Sequence, residues 1–433
     1  MTPAARLSAA IEVFTEVESR RRPSADVLKD WGLSHRFAGS SDRAAIAGLV
    51  YDALRRKASS CWSMGEGTPR AALLGMLRRE RGLDVASIEE LCSGARFAPA
   101  PLSEAEKKHL GGDSFAGAPA PVAGDYPDWL DPHLAKVFGD DRAAEGAALA
   151  TRAPLDLRVN TLKAEREEIQ PKFAHLNAEA AQWSPVGLRI RLGADAKNPA
   201  IHAEPPFRKG EVEVQDEGSQ LSALFAGAKP GQQVIDLAAG AGGKTLALAA
   251  AMDNRGQIYA TDIDKRQLLP IHERIARAGA RNIQVRTPRG EADMLGDLKG
   301  RADLVLIDAP CTGTGTWRRN PDAKWRVRPG ALEERVKEQA TLLDRAAALT
   351  KTGGHIAYVT CSLLDDENGA QVRDFVIRTP GFSVEKPADV AQTLGERAYL
   401  FLQAALISGE GLLMTPRRTD TDGFFVSLLR RNS

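Results

Sequence analysis

A chain of 433 residues is too long for one hydrophobic core and predicts two or three domains. With 43% hydrophobic and 27% charged residues it has the make-up of a soluble globular protein, and a formal net charge of +1 excludes a global basic field of the kind that gathers nucleic acid. The cysteines, Cys61, Cys92, Cys311 and Cys361, form no C-x-x-C pair and the histidines no H-E-x-x-H pattern, so no metal site is expected. So few cysteines suit a reducing compartment, and with no charged-then-apolar opening segment and no apolar run of about 18 residues, the cytoplasm is the expected location, with no membrane partner.

In chain order, residues 1–95 predict an all-helical domain. Leu7, Ile11 and Phe14 recur at helical spacing, as do Ile46, Leu49, Val50, Ala53 and Leu54 behind a Ser41–Asp42 start signal. Residues 96–125 carry Pro99, Pro101, Pro119 and Pro121 among Gly, Ala and Ser, and predict a linker. YPDWLDPHLAKVF then opens a short helical section that Asp128 or Asp131 would cap. Next, LDLRVN alternates, KAEREEIQPKFAHLN is helical with a break near Pro171, and GLRIRL alternates again. This predicts a small α/β subdomain over 126–212, its leading helix included.

The last domain, 213–433, opens with the helix of VQDEGSQLSALFAGAKPG. Asp216 and Ser219 read as helix-entry residues there, and Gln215 as either another or a polar contact near a ligand. The stretch VIDLAAGAGGKT follows: a strand ending at Asp236, a loop of small residues (Ala238, Ala239, Gly240, Ala241, Gly242, Gly243), then Lys244 and Thr245 opening an apolar helix. Glycines let a ligand approach the backbone, and the free N–H groups of the helix start face it. Asp262, after the strand QIYATD, lies roughly 20 residues on, where a carboxylate meets ribose hydroxyls. ADLVLIDAPCTGTG brings Asp308, Pro310 and Cys311 to a strand end, and GGHIAYVTCSLLDDEN does the same for Thr360, Cys361 and Ser362. Ligands sit beyond the carboxyl ends of such strands, so two thiols, a carboxylate and a glycine loop converge on one crevice. The tail, GLLMTPRRTDTDGFFVSLLRR, predicts two further strands closing the sheet as an antiparallel hairpin. The expected fold is α/β: a doubly wound seven-stranded sheet preceded by a small α/β subdomain and a helical domain.

From Leu157 to Leu429 the motifs LRVNTLK, VQDEGSQL, the glycine loop, DAPC, RRNPDAKW, TCS and DGFF occur in order. In this the chain resembles the RNA 5-methylcytosine methyltransferases of the NOL1/NOP2/Sun family, which carry a PC and a TC cysteine motif. DRAAIAGLVYDALRR is similar to the NusB-like helical module of bacterial members that act on small-subunit ribosomal RNA. The resemblance implies an S-adenosyl-L-methionine cofactor, a ribosomal RNA partner, and an RNA-recognition-like subdomain in which Arg158 and Asn160 suit a structural tie or an RNA contact equally. It also makes the basic stretch Arg318–Arg328, otherwise a solvated charged loop, a candidate RNA contact. Two departures stand out. The family's loop is roughly AAPGGKT, and here Ala241 replaces the proline. Where the family has an acidic residue toward the cofactor's adenine, this chain has Arg289, with Glu291 and Asp293 nearby as substitutes.

Carbon 5 of a pyrimidine is a poor nucleophile until a thiolate adds to carbon 6 and loads electron density onto it. A thiol near pKa 8.5 is only slightly ionised at neutral pH, so positive potential or hydrogen bonds are needed, with Lys244 the nearby side chain. Asp308 would donate to ring nitrogen 3 if protonated, or hold the exocyclic amine. In the resembling family the TC cysteine, here Cys361, attacks, and the PC cysteine, here Cys311, helps release product. Cys61 and Cys92 read as buried apolar side chains. Two other functions compete: a DNA cytosine methyltransferase, which has no TC partner, and an inactive RNA-binding assembly factor, which has no use for the paired thiols.

Overall fold

The computed structural model describes residues 1–112, 115–193, 198–290 and 293–433. The chain divides into two compact units. The first holds Met1–Arg152 and Gly193 and takes back Trp317–Val327; the second holds Ala153–Leu192, Asn198–Thr316 and Arg328–Ser433.

The first unit is helical. Pro3–Arg20, Ser24–Ser34, Ser40–Arg55, Lys57–Met64, Pro69–Arg79 and Val85–Leu91 bury the apolar stripes the sequence shows, with Leu7, Phe14, Ile46, Val50, Leu54 and Leu74 almost inaccessible. Thr2, Thr68 and Asp84 cap their helices with a side-chain oxygen. The Ser41–Asp42 start signal differs from expectation. The helix begins at Ser40 without a side-chain cap, and Asp42 instead pairs with Arg6 at 2.8 Å. Residues 96–125, expected as linker, carry the helices Glu104–Gly111 and Ala120–Ala123 and pack within this unit. Ser103 and Glu106 form a capping box there, and Pro119 and Pro121 sit at the start of Ala120–Ala123, where a missing N–H costs nothing.

The basic stretch is the larger surprise. Between Trp317 and Val327 the chain belongs to the helical unit, and Arg318, Asp322 and Lys324 are sunk rather than displayed. Trp317 and Lys324 are each 1% exposed and Arg318 2%. Lys324 Nζ donates to the Arg55 carbonyl at 2.9 Å, Trp325 Nε1 to the Leu54 carbonyl at 2.7 Å, and Arg326 to Asp322. A fully solvated loop does not describe Trp317–Val327, because Trp317, Arg318 and Lys324 are buried, whereas Arg319 and Arg326 are partly exposed and Arg328 lies exposed just beyond.

The second unit has two sheets. Strands β1 (Leu155–Val159), β2 (Glu179–Ala180), β3 (Gly187–Ile190) and β4 (Val212–Val214) form a small antiparallel sheet in the order β2-β3-β1-β4. Arg158 donates to Gln215 at 2.7 Å, and Asn160 reaches the carbonyls of Gly210 and Ala278, both at 2.8 Å. Both are buried ties.

The large sheet contains β5 (Gln233–Asp236), β6 (Gln257–Ala260), β7 (Ile283–Val285), β8 (Ala302–Asp308), β9 (Thr350–Thr360), β10 (Phe382–Val384), β11 (Leu406–Ile407), β12 (Leu412–Met414) and β13 (Phe424–Arg431). Its order is β11-β12-β13-β9-β8-β5-β6-β7, with β10 on β13. The β9-β8-β5-β6-β7 block is parallel and β13 antiparallel to β9, as expected of the tail hairpin. The seven expected strands are thus nine, because the short β10 and β11 pair onto the carboxyl-terminal end of the sheet. Order reverses between β5 and β8, so the carboxyl ends of these strands open a crevice. No helix among the described residues is long and apolar enough to cross a membrane.

Candidate active site

After β5 the loop is pinned by its own backbone: Leu237 N–H donates to Leu306, Ala239 to Thr261, and Gly242 to Ala239. Gly242 has φ 85° and a side chain there would meet Ile271 at 2.5 Å, so only glycine fits. The helix Gly243–Ala251 starts without a side-chain cap, leaving its first N–H groups to a ligand. Asp262 grips the loop: one carboxylate oxygen accepts the Gly240 N–H at 3.0 Å, the other that of Asp264 at 2.9 Å. Arg274 adds a second grip, donating to the Ala241 carbonyl at 2.8 Å while paired with Glu213. Asp236 lies beneath, holding the Thr245 hydroxyl at 2.7 Å, and burial pushes its carboxyl up to about 7.

Lys244 is buried and reaches Asp308 at the end of β8, Nζ to Oδ2 2.7 Å, with Phe424 beside it at 5.0 Å from the ring centroid. Asp308 remains about a third exposed, at 35%. Three residues on, Cys311 meets Cys361 from the end of β9 with sulfurs 3.3 Å apart, both half-buried. The hydrogen bond with Cys361 and burial together push the Cys311 thiol well up. Either sulfur can be the donor of such a pair.

Gln215 ties Arg158 to Ser219, and Asp216 caps the helix Glu217–Phe225. Arg289 is exposed beyond β7; Asp293 lies near Lys299 and Arg345, each at 3.7 Å; Glu291 lies outside the described residues. Cys92 is buried and Cys61 half-buried in the helical unit, and burial raises both thiols, Cys61 to about 11. Sequence reasoning missed Glu367 and Gln339. Glu367 is wholly buried between the two cysteine turns, and Gln339 bridges it to the Pro310 carbonyl. In the run Asp365-Asp366-Glu367 nothing marks the third acid as the buried one.

A mainly parallel sheet with a glycine loop after its first strand, a carboxylate after its second, an open crevice at the order reversal and antiparallel β13 beside β9 fits the S-adenosylmethionine-dependent methyltransferases, the class to which the matching family belongs. Comparison with known proteins narrows the class. Residues 223–430 match the family described as 16S rRNA methyltransferase RsmB/F, and residues 126–196 its ferredoxin-like domain. A probable ribosomal RNA small subunit methyltransferase B of Synechocystis sp. is 32% identical over 310 residues, 71% of this chain and 67% of the relative. Ribosomal RNA small subunit methyltransferase B of Citrobacter koseri is 31% identical over 305 residues, 70% of this chain and 66% of the relative. The chain therefore matches about two thirds of the length of these relatives. The crystal structure of PH0851 superimposes with a TM-score of 0.73 at 25% identity, covering 100% of this chain and 99% of that one. The chain belongs to the RsmB/F family of methyltransferases.

Proposed function

We propose that the protein methylates carbon 5 of a cytosine in small-subunit ribosomal RNA through a covalent cysteine–pyrimidine adduct. The observation that carries this is the pair of sulfurs 3.3 Å apart at adjacent strand ends, with the Lys244–Asp308 pair on the same strand end as Cys311. S-adenosylmethionine supplies the methyl group when bound. The uncapped helix start and side-chain-free loop suit it: the backbone of Ala238, Ala239, Gly240, Ala241, Gly242 and Gly243 would hold its amino-acid portion and Asp262 its ribose.

In this reading Cys361 is the nucleophile. Its sulfur adds to carbon 6, the ring electrons move toward carbon 5, and after methylation the carbon 5 proton leaves as the carbon–sulfur bond breaks. Asp308, ion-paired with Lys244, acts as an acceptor and holds the exocyclic amine; donation to ring nitrogen 3 does not suit a carboxylate so paired. Cys311 assists release. The helical unit is assigned to RNA or partner binding.

Two cysteine variants test this. Cys361→Ala should bind RNA and cofactor yet give neither adduct nor product. Cys311→Ala should methylate and then stall, giving a slow band of RNA bound to protein on a denaturing gel. The reverse pattern would make Cys311 the nucleophile, as in DNA enzymes. Tritium transfer from labelled cofactor to DNA rather than small-subunit RNA would replace the substrate, and transfer to neither would leave an inactive RNA-binding factor.

A further inference from the structure

We propose that Glu367 is a positioning residue for the thiol pair, its buried carboxylate lacing the Cys311 turn to the Cys361 turn and keeping Cys311 the donor toward Cys361. This rests on the covalent reading above. The carboxylate accepts the Thr312 N–H at 2.8 Å, the Thr312 hydroxyl at 2.5 Å and Gln339 Nε2 at 3.1 Å. The same Gln339 nitrogen donates to the Pro310 carbonyl at 2.9 Å, so both neighbours of Cys311 are tied to one acid. On the other side, the Tyr358 hydroxyl donates to the Glu367 carbonyl at 2.6 Å, and Asn368 reaches the Ser362 carbonyl at 2.8 Å. The turn that carries Glu367 is thereby fixed to the residues flanking Cys361.

Burying a carboxylate is costly, and one that a fold retains needs donors and a use. Here the donors are present, and the use follows from what faces Cys311. Among the described residues, the titratable groups facing its thiol are Cys361, Glu367 and the buried Tyr358 phenol, whose own proton is held by burial; the negative charge of Cys361 and Glu367 opposes loss of the Cys311 proton. Burial also raises the Glu367 carboxyl itself, while its hydrogen bonds from Ser362, Thr312 and Gln339 oppose that rise. When the adduct resolves, the carbon–sulfur bond breaks and its electron pair returns to the Cys361 sulfur. The Cys311 S–H then donates a hydrogen bond to that sulfur while the carbon 5 proton passes to water. Cys311 thus aids release as a donor to the leaving group, and Glu367 holds it in that form and place.

The test uses the full chain and two readouts. Alkylation of Cys311 by iodoacetamide, followed by peptide mapping as a function of pH, needs no RNA and so stands apart from the proposed reaction. Glu367→Gln should move the midpoint of Cys311 alkylation to lower pH by about one unit or more, a shift a merely structural role would not give. Glu367→Asp, which keeps the charge, should leave the midpoint near that of the native protein. With small-subunit RNA, Glu367→Gln should lower kcat at least tenfold with KM for RNA little changed, and covalent RNA should accumulate. An unshifted alkylation midpoint in Glu367→Gln overturns the proposal. If that variant fails to fold, Gln339→Leu, which cuts the tie from Glu367 to the Pro310 carbonyl, decides: slowed release with accumulated covalent RNA supports the proposal, and release at the native rate overturns it. If the native protein forms no adduct under any condition, the covalent reading fails while the alkylation result for Glu367 still stands.

Discussion

Lys244 and Lys324 are both buried lysines over aromatic rings, and they show two different uses of a sunken charge. Lys244 is in direct contact with Asp308 at 2.7 Å, and that carboxylate remains about a third exposed at the crevice, 35%. Among the described residues Lys324 touches no carboxylate at such range; its nitrogen holds the Arg55 carbonyl, with the rings of Trp317 and Trp325 5.8 and 5.1 Å away. Burial pushes Lys324 down to about 7, and Asp125, itself raised by burial and held by Ser59, only partly offsets this. A charge paired at the mouth of a cleft is available to a substrate, whereas a charge sealed under two tryptophans fastens a segment of chain.

If Trp317–Val327 is a fastening, its anchor should matter more to stability than any residue of the crevice. Trp317→Ala removes the largest fully buried side chain and should cost about 3–5 kcal/mol in the helical unit, with cofactor affinity unchanged. Differential scanning calorimetry with cofactor titration checks both halves. A stable variant with weakened cofactor binding would reverse the contrast.

Asp308→Asn should do the opposite. The ion pair with Lys244 is lost, activity falls by roughly 10²–10³ as when a preorganised polar group at a reacting centre is removed, and the melting temperature barely moves. Single-turnover methylation beside a thermal melt would show it. Retained activity would remove Asp308 from the chemistry.

Lys324→Met sharpens the comparison through pH. The folded state holds this lysine near 7 against an ordinary 10.5, so between those values the unfolded chain binds more protons and stability rises with pH. Below about pH 7 the full cost of burying the charge is present. Lys324→Met should flatten that slope and, at pH 6, leave the unit unchanged or more stable by roughly 1–4 kcal/mol. A marked loss of stability at pH 6 would mean that the charge holds the segment in place.

Much of the second unit was legible because its signals are local. A strand, a glycine loop and a helix announce themselves in VIDLAAGAGGKT, and the period-two runs LDLRVN and GLRIRL lie where β1 and β3 form. What stayed hidden was set by distant packing. Nothing in RRNPDAKW tells that the segment leaves the sheet unit to be buried among helices of residues 1–152, nor that Glu367 rather than Asp365 or Asp366 is the wholly buried acid. A charged residue looks alike in sequence whether water or a buried donor satisfies it. β10 and β11 were missed for a related reason, being two or three residues long and made strands only by the edges they join.

The smallest effect concerns the loop itself. Where the resembling family carries a proline, this chain has Ala241, and Arg274 Nη1 donates to the Ala241 carbonyl at 2.8 Å from a helix anchored to Glu213. A tertiary hydrogen bond here does what a fixed φ does elsewhere: it narrows the loop's conformations before the ligand arrives. Glu213 also pairs with Arg277, so losing Arg274 does not leave a buried carboxylate alone, and the fold should survive. Arg274→Ala is therefore expected to weaken S-adenosylmethionine binding by about 1 kcal/mol, close to fivefold, with little change in melting temperature. Ala241→Pro in the same background should recover the affinity, because it restores rigidity by another route. Calorimetric titration of the three proteins decides. Unchanged affinity in Arg274→Ala would show that the loop is held by Asp262 and its own backbone alone, and failure of the proline to rescue would locate the loss in charge rather than in stiffness.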